Sequence, residues 1–217
     1  MLMTTITLSS DVATFINVFT VEPTKQKELI DRLKLHAETM ISRQAGFISA
    51  IAHRSLDGSR VVNYVQWTSI EASRAIHRNP AICAAFASYQ QLGVSMDLRY
   101  YETAFTRGQP VTIQTHSNLM TQIDVLHVAP DNQRLLLERL TQDFNLVAQQ
   151  SNNRSTIWLR SLDGMRVITY SKWSRENKDD AVISNRNQIA ASEDLIEQID
   201  SDCYEVDFFV NVHRLLV

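Results

Sequence analysis

The stretch "RSLDGSRVVNYVQW", Arg54 to Trp67, returns from Arg160 to Trp173 as "RSLDGMRVITYSKW". Nine of the fourteen positions are identical at a constant offset of 106. Upstream, "FINVFTVEPT" (Phe15 to Thr24) is matched by "QIDVLHVAPD" (Gln122 to Asp131) at an offset of 107. Downstream, "YYETAF" (Tyr100 to Phe105) is echoed by "CYEVDF" (Cys203 to Phe208). A period of about a hundred residues is a domain duplication, since solenoid units are far shorter.

Each copy reads as the same series of elements. Ile16, Val18 and Thr20 alternate with Asn17, Phe19 and Val21, a β-rich run. Pro23-Thr24 and Pro130-Asp131 read as a stop followed by a helix N-cap. Ile30, Leu33, Ala37, Met40 and Ile41 then recur at helical spacing, as do Leu136, Leu137, Leu140, Phe144 and Val147. Gly46 ends the first helix and Phe47 opens a strand. Asp57-Gly58 and Asp163-Gly164 are hairpin turns, because glycine accepts a positive φ that a Cβ opposes. In the strand that follows, Val61, Asn63, Val65 and Trp67 share one face and Val62, Tyr64 and Gln66 the other. A second helical segment, Ile70 to Gln91, is expected to break at Asn79-Pro80, and the last strand to run from Asp97 to Phe105.

The order β-α-β-β-α-β is the ferredoxin-like split unit. Such a unit covers one sheet face with helices and leaves the other bare. The expected fold is therefore α+β: two tandem ferredoxin-like repeats whose antiparallel sheets face each other as a barrel. Boundaries are set at 1–12 for an N-terminal tail, 13–107 and 120–217 for the repeats, and 108–119 for a linker. Closure between chains instead would make a homodimer, and the sequence leaves both arrangements open. Tyr64 and Tyr170 are expected between the two sheets. The arginines flanking each hairpin, Arg54 and Arg60 with Arg160 and Arg166, are expected to tie down the turns through salt bridges.

Composition narrows the function classes. Of 217 residues, 44% are apolar and 21% charged, with a net charge of −3, as in ordinary globular proteins. The chain has no long basic stripe, which argues against nucleic acid as a partner. The apolar run Ala81 to Ala87 is too short to span a bilayer. The opening "MLMTTITLSSDVAT" lacks the basic and apolar regions of a secretory signal. Cys83 and Cys203 fall at unrelated places in the two copies and read as free thiols of a reducing, cytoplasmic compartment. The six histidines form no short-spaced pair, so no metal site is legible.

The chemistry-bearing feature is Asn63 with Trp67 on one strand face, between Val61 and Val65. Asparagine is depleted in strands. A valine-lined pocket with one amide and one indole N–H suits a flat aromatic ligand bearing oxygens. The competing structural reading puts Trp67 in the core and uses Asn63 to satisfy a backbone group at an irregular strand edge. The second copy keeps Trp173 but carries Thr169 in place of the asparagine.

"FINVFTVEP", "GFISAIAHRSLDGSRVVNYVQW" and the helix bearing "HRNP" resemble the antibiotic biosynthesis monooxygenases, a family of the dimeric α+β barrel superfamily. The resemblance implies oxidation of an aromatic or polyketide-like phenol or hydroquinone to a quinone by O₂ without a cofactor. Asn63 and Trp67 then stand where the family's substrate-contacting pair lies. Val61, Val65, Asn17, Thr169 and Trp173 are further candidate lining residues. The family's helix tyrosine is missing, with Ser73 in its place. The resemblance also admits reduced flavin as a cofactor, a haem-handling relative, and a barrel that binds small molecules without catalysis.

Overall fold

The computed structural model describes residues 3–5, 12–107, 112–114, 119–147, 155–174 and 189–212. The first repeat contains β2 (Ala13–Thr20), α1 (Gln26–Thr39), β3 (Phe47–Ser55), β4 (Arg60–Trp67), α2 (Ile70–Ala75), α3 (Pro80–Gln90) and β5 (Ser95–Arg107). The second contains β7 (Leu119–His127), α4 (Pro130–Val147), β8 (Ser155–Ser161), β9 (Arg166–Ser174) and β10 (Gln198–Asn211). In the segments read as tail and linker, β1 (Met3–Thr5) pairs antiparallel with β6 (Thr112–Gln114). The second helix expected in the second repeat falls in 175–188, and the side chains of Phe144 and Val147 also lie outside the described residues.

Eight strands close one barrel in the order β10-β3-β4-β2-β5-β8-β9-β7. The two sheets do face each other, within a single chain. The long last strand of each repeat makes the closure. β5 pairs with β2 through its first half and with the second repeat's β8 through its second half. β10 does the same with β7 and the first repeat's β3.

Alternation along each strand splits the core in two. One face points into the barrel, where Ile16, Val18, Ile51 and Val62 meet Ile123, Val125, Ile157 and Ile168. Tyr64 and Tyr170 are buried there together. The other face packs on helices: Phe19, Ala50, Ala52, Val61, Val65 and Trp67 meet Leu29, Ile30, Leu33 and Ile82. The helical period of α1 buries Leu29, Ile30, Leu33 and Ala37 and exposes the residues between. The break at Asn79-Pro80 is present, with the Asn79 side chain accepting from Ala81 N at 3.0 Å. Pro23 and Pro130 open their helical segments instead of stopping the chain before a capping residue. A proline at the first helical position forfeits an N–H that has no helical acceptor there anyway.

The twice-written hairpin owes its identity to the turn. Asp57 Oδ1 accepts from Ser59 N at 2.9 Å and Ser55 Oγ at 2.6 Å. Asp163 Oδ1 accepts from Met165 N at 3.0 Å and Ser161 Oγ at 2.7 Å. Gly58 and Gly164 sit at φ of 83° and 80°, and a Cβ on either would press on Pro23 or Pro130 at 3.1 and 3.2 Å. From the helix above, Gln26 Nε2 donates to the carbonyls of Ser55 and Arg60 at 3.0 and 2.9 Å, and Gln133 does the same to Ser161 and Arg166.

The flanking arginines do not tie down their own turns. Arg60 pairs with Asp200 at 2.8 Å and Asp202 at 3.2 Å, and Arg166 with Asp97 at 2.9 Å. Arg54 reaches Glu205 at 2.9 Å, and Arg160 pairs with Glu102. Every one of these bridges joins one repeat to the other. The cause is closure itself, which lays the last strand of each repeat beside the hairpin of its neighbour. The Arg60, Asp97, Arg166 and Asp200 group rims a cleft of about 260 Å³ at one barrel mouth.

Candidate functional site

The helix-facing side of the first repeat carries the chemistry-bearing residues, and strand register arranges them in rows. Asn63 on β4 lies directly opposite Asn17 on β2 and Ala52 on β3, and Asn17 opposite Leu98 on β5. The next row holds Ala50, Val65, Phe15 and Tyr100. Val61 and Trp67 lie on the same face at either end. Asn63, Trp67, Val61, Val65 and Asn17 are therefore brought onto one surface. Thr169 and Trp173 are not. They sit on the corresponding face of the second repeat, across the barrel.

The ladder is regular at Asn63. The β2–β4 register runs unbroken from Ala13 to Thr20, and the one shift between β3 and β4 lies at Phe47/Ser49. Asn63 thus satisfies no strand irregularity. Trp67 is 1% exposed and meets Phe47 edge-on, ring centroids 5.6 Å apart. It forms a rigid apolar end to the face.

Burial divides this face. Ala50, Ala52, Val61 and Val65 are buried, while Phe15, Asn17, Asn63 and Tyr100 are half-buried and Leu98 is 48% exposed. The opening therefore lies on the β2–β5 side. At its floor, Asn17 Oδ1 and Asn63 Oδ1 are both shut off from solvent and accept no hydrogen bond among the described residues. Two facing amides with idle carbonyl oxygens incur a desolvation cost of ~1–3 kcal/mol each unless a ligand or water donates to them.

Two contributors escaped the sequence reading. Tyr100 comes from β5: its hydroxyl donates to Ser73 Oγ on α2 at 3.1 Å, and its ring packs on Phe15 with centroids 5.1 Å apart. The Arg74 guanidinium lies over that ring at 5.7 Å. Deeper under the helices, Tyr89 bonds His36 Nδ1 at 2.8 Å and meets Phe19 edge-on. Burial holds the His36 imidazole below its usual range and pushes the Tyr89 phenol up. The Tyr100 contact was foreshadowed by the unmatched position at Ser73, but only strand pairing shows which side chain answers it.

The second repeat fills the same ground. Asp124, at the place of Asn17, is fully buried and accepts from Gln122 Nε2 at 2.6 Å, Ser201 Oγ at 2.5 Å and Thr169 Oγ1. Trp158 stands where the first repeat has Ala52 and stacks on Phe105 at 4.2 Å. Ser171, in place of Val65, bonds Thr156 at 3.0 Å.

No group of three or more His, Cys, Asp or Glu side chains with metal-binding geometry occurs among the described residues. Cys83 and Cys203 form no disulfide. No described helix is long and apolar enough to cross a membrane.

Comparison with known proteins bears on the fold and the family. The tetracenomycin-F1 monooxygenase of Streptomyces glaucescens is 48% identical over 80 residues, 37% of this chain and 71% of that protein. The crystal structure of an anthrone oxidase-like protein superposes with a TM-score of 0.79 at 20% identity, covering 97% of this chain and 96% of that one, which shows the fold. The family profile described as antibiotic biosynthesis monooxygenase matches residues 13–88, the repeat that carries the amide pair. The chain belongs to the antibiotic biosynthesis monooxygenase family.

Proposed function

We propose that the chain is a cofactor-independent monooxygenase that oxidises a fused-ring phenol to a quinone with O₂, at a single working site in the first repeat. The observation that carries this reading is the Asn17–Asn63 pair, two buried amide oxygens without donors among the described residues, beside apolar neighbours. The similarity to a tetracenomycin-F1 monooxygenase supports the monooxygenase reading.

The chemistry balances without a further reductant. A phenol with a free ring C–H supplies four electrons as its O–H and C–H bonds are lost. One atom of O₂ enters the ring as a carbonyl oxygen, and the other leaves as water with both protons. An Asn Oδ1 accepts from the phenol O–H and raises electron density in the ring. An Asn Nδ2–H donates to the ring oxygen as negative charge develops and electrons pass to O₂. Fixed donors act strongly in a site that excludes water. Trp67 and the valines supply that exclusion and a flat wall.

Oxygen uptake with naphthols and hydroxyanthracenes, without added flavin or haem, tests the reading. One O₂ should be consumed per quinone, and ¹⁸O₂ should label the new carbonyl. Binding of these phenols with no oxygen uptake would leave a small-molecule-binding barrel in its place.

A further inference from the structure

We infer that Tyr100 is a specificity-determining residue of this site, selecting fused-ring substrates that carry a second oxygen at the end remote from the amides. The inference rests on the reading of the first repeat as the working site. Tyr100 lies two residues along and one strand across from Asn17, ~7 Å and ~4.8 Å away in strand geometry. A single ring placed on the amide pair does not span that offset, whereas a fused polycycle does.

The hydroxyl is prepared for such a role. Its proton is committed to Ser73 Oγ at 3.1 Å, and Ser73 is itself buried on α2. A tyrosine oxygen that donates in one direction keeps a lone pair for an incoming O–H in another. The ring is held by Phe15 on the sheet and by Arg74 from the helix, so the oxygen is positioned before the ligand arrives. Arg74 forms no ion pair among the described residues, which leaves its charge directed at the ring and the opening. In the second repeat the matching residues are Gln122 for Phe15 and Cys203 for Tyr100, so this wall exists once.

The test compares 1-naphthol, 1,5-dihydroxynaphthalene and 1,8-dihydroxyanthracene, with phenol as the single-ring control. Binding to wild type and Tyr100→Phe is followed by tryptophan fluorescence under anaerobic conditions. Tyr100→Phe keeps the ring and its packing and removes only the oxygen. It should weaken the ligands with a remote hydroxyl about five- to tenfold, the worth of one neutral hydrogen bond, and leave 1-naphthol unchanged. Ser73→Ala, which frees the hydroxyl to rotate, should cause a smaller loss with the same selectivity. Equal losses for all ligands, no loss for any, or no binding by wild type would overturn the inference. Selective loss in binding without oxygen uptake by wild type would uphold Tyr100 and reject the monooxygenase reading, so the two claims fail separately.

Discussion

The two repeats share a hairpin and differ where their sheets meet the helices. In the first, Asn17 and Asn63 face each other beside Ala52, Val65 and Phe15, and their carbonyl oxygens have no donors among the described residues. In the second, Asp124 accepts from Gln122, Thr169 and Ser201, and Trp158 occupies the volume that Ala52 leaves. What is identical between the copies makes turns and holds halves together. What differs is how polar and how filled each helix-facing surface is. Duplication thus supplies each sheet with a partner to bury it, and the proposed site lies in one copy alone.

The largest effect is expected from the residue that fills the second repeat. Trp158→Ala should cost ~3–5 kcal/mol of stability, measured by chemical denaturation, and leave oxygen uptake untouched. The converse change, Ala52→Trp, should block phenol binding in the first repeat. Loss of turnover in Trp158→Ala at a temperature where the fold persists would show that the second repeat also works.

A smaller difference lies inside the barrel, where His53 has Leu159 as its counterpart. His53 Nδ1–H donates to Val62 O at 3.3 Å, so Nε2 accepts from the Tyr170 hydroxyl at 2.9 Å. Burial pushes this imidazole down from 6.5 to about 3. The unfolded chain therefore binds a proton below pH 6.5 that the folded chain refuses until about pH 3. The contribution is fully present above pH 6.5 and is lost as pH falls, at ~1.4 kcal/mol per pH unit. Between pH 6.5 and 4.5, where the carboxylates contribute little, His53→Leu should flatten the decline in Tm. An unchanged slope would place the acid sensitivity elsewhere.

The smallest effect is on the Asp124 network. Thr169→Ala removes one donor from a fully buried carboxylate and should lower stability by ~1–3 kcal/mol. Its thermal melt separates this role from catalysis, because activity per folded molecule should not change.

Much of the fold was legible because the repeat is written in the turn residues. Asp57, Gly58, Asp163 and Gly164 announce the hairpins, alternation assigns Asn63 and Tyr64 to opposite faces, and Asn79-Pro80 marks the helix break. The partners of Arg60 and Arg166 were not legible. They depend on how the two halves close, and Asp97 and Asp200 lie far away in the chain. The same holds for Tyr100, which reaches the site through pairing of β5 with β2. The contrast of Ala52 with Trp158 stood in the aligned copies, but its meaning needed the packing. Pro23 and Pro130 open their helical segments two positions ahead of what caps at Thr24 and Asp131 imply, because the residue after each proline is itself suited to capping.

The most direct measurement of the central claim is oxygen uptake by Asn63→Ala and Thr169→Ala side by side, with a hydroxyanthracene substrate and equal amounts of folded protein. Removing one positioned donor at developing charge costs ~10²–10³ in turnover. Asn63→Ala should show that loss with a melting temperature no lower than that of wild type, and Thr169→Ala should keep the wild-type rate. Equal rates in the two variants, or a loss in Asn63→Ala explained by unfolding, would contradict a single working site in the first repeat.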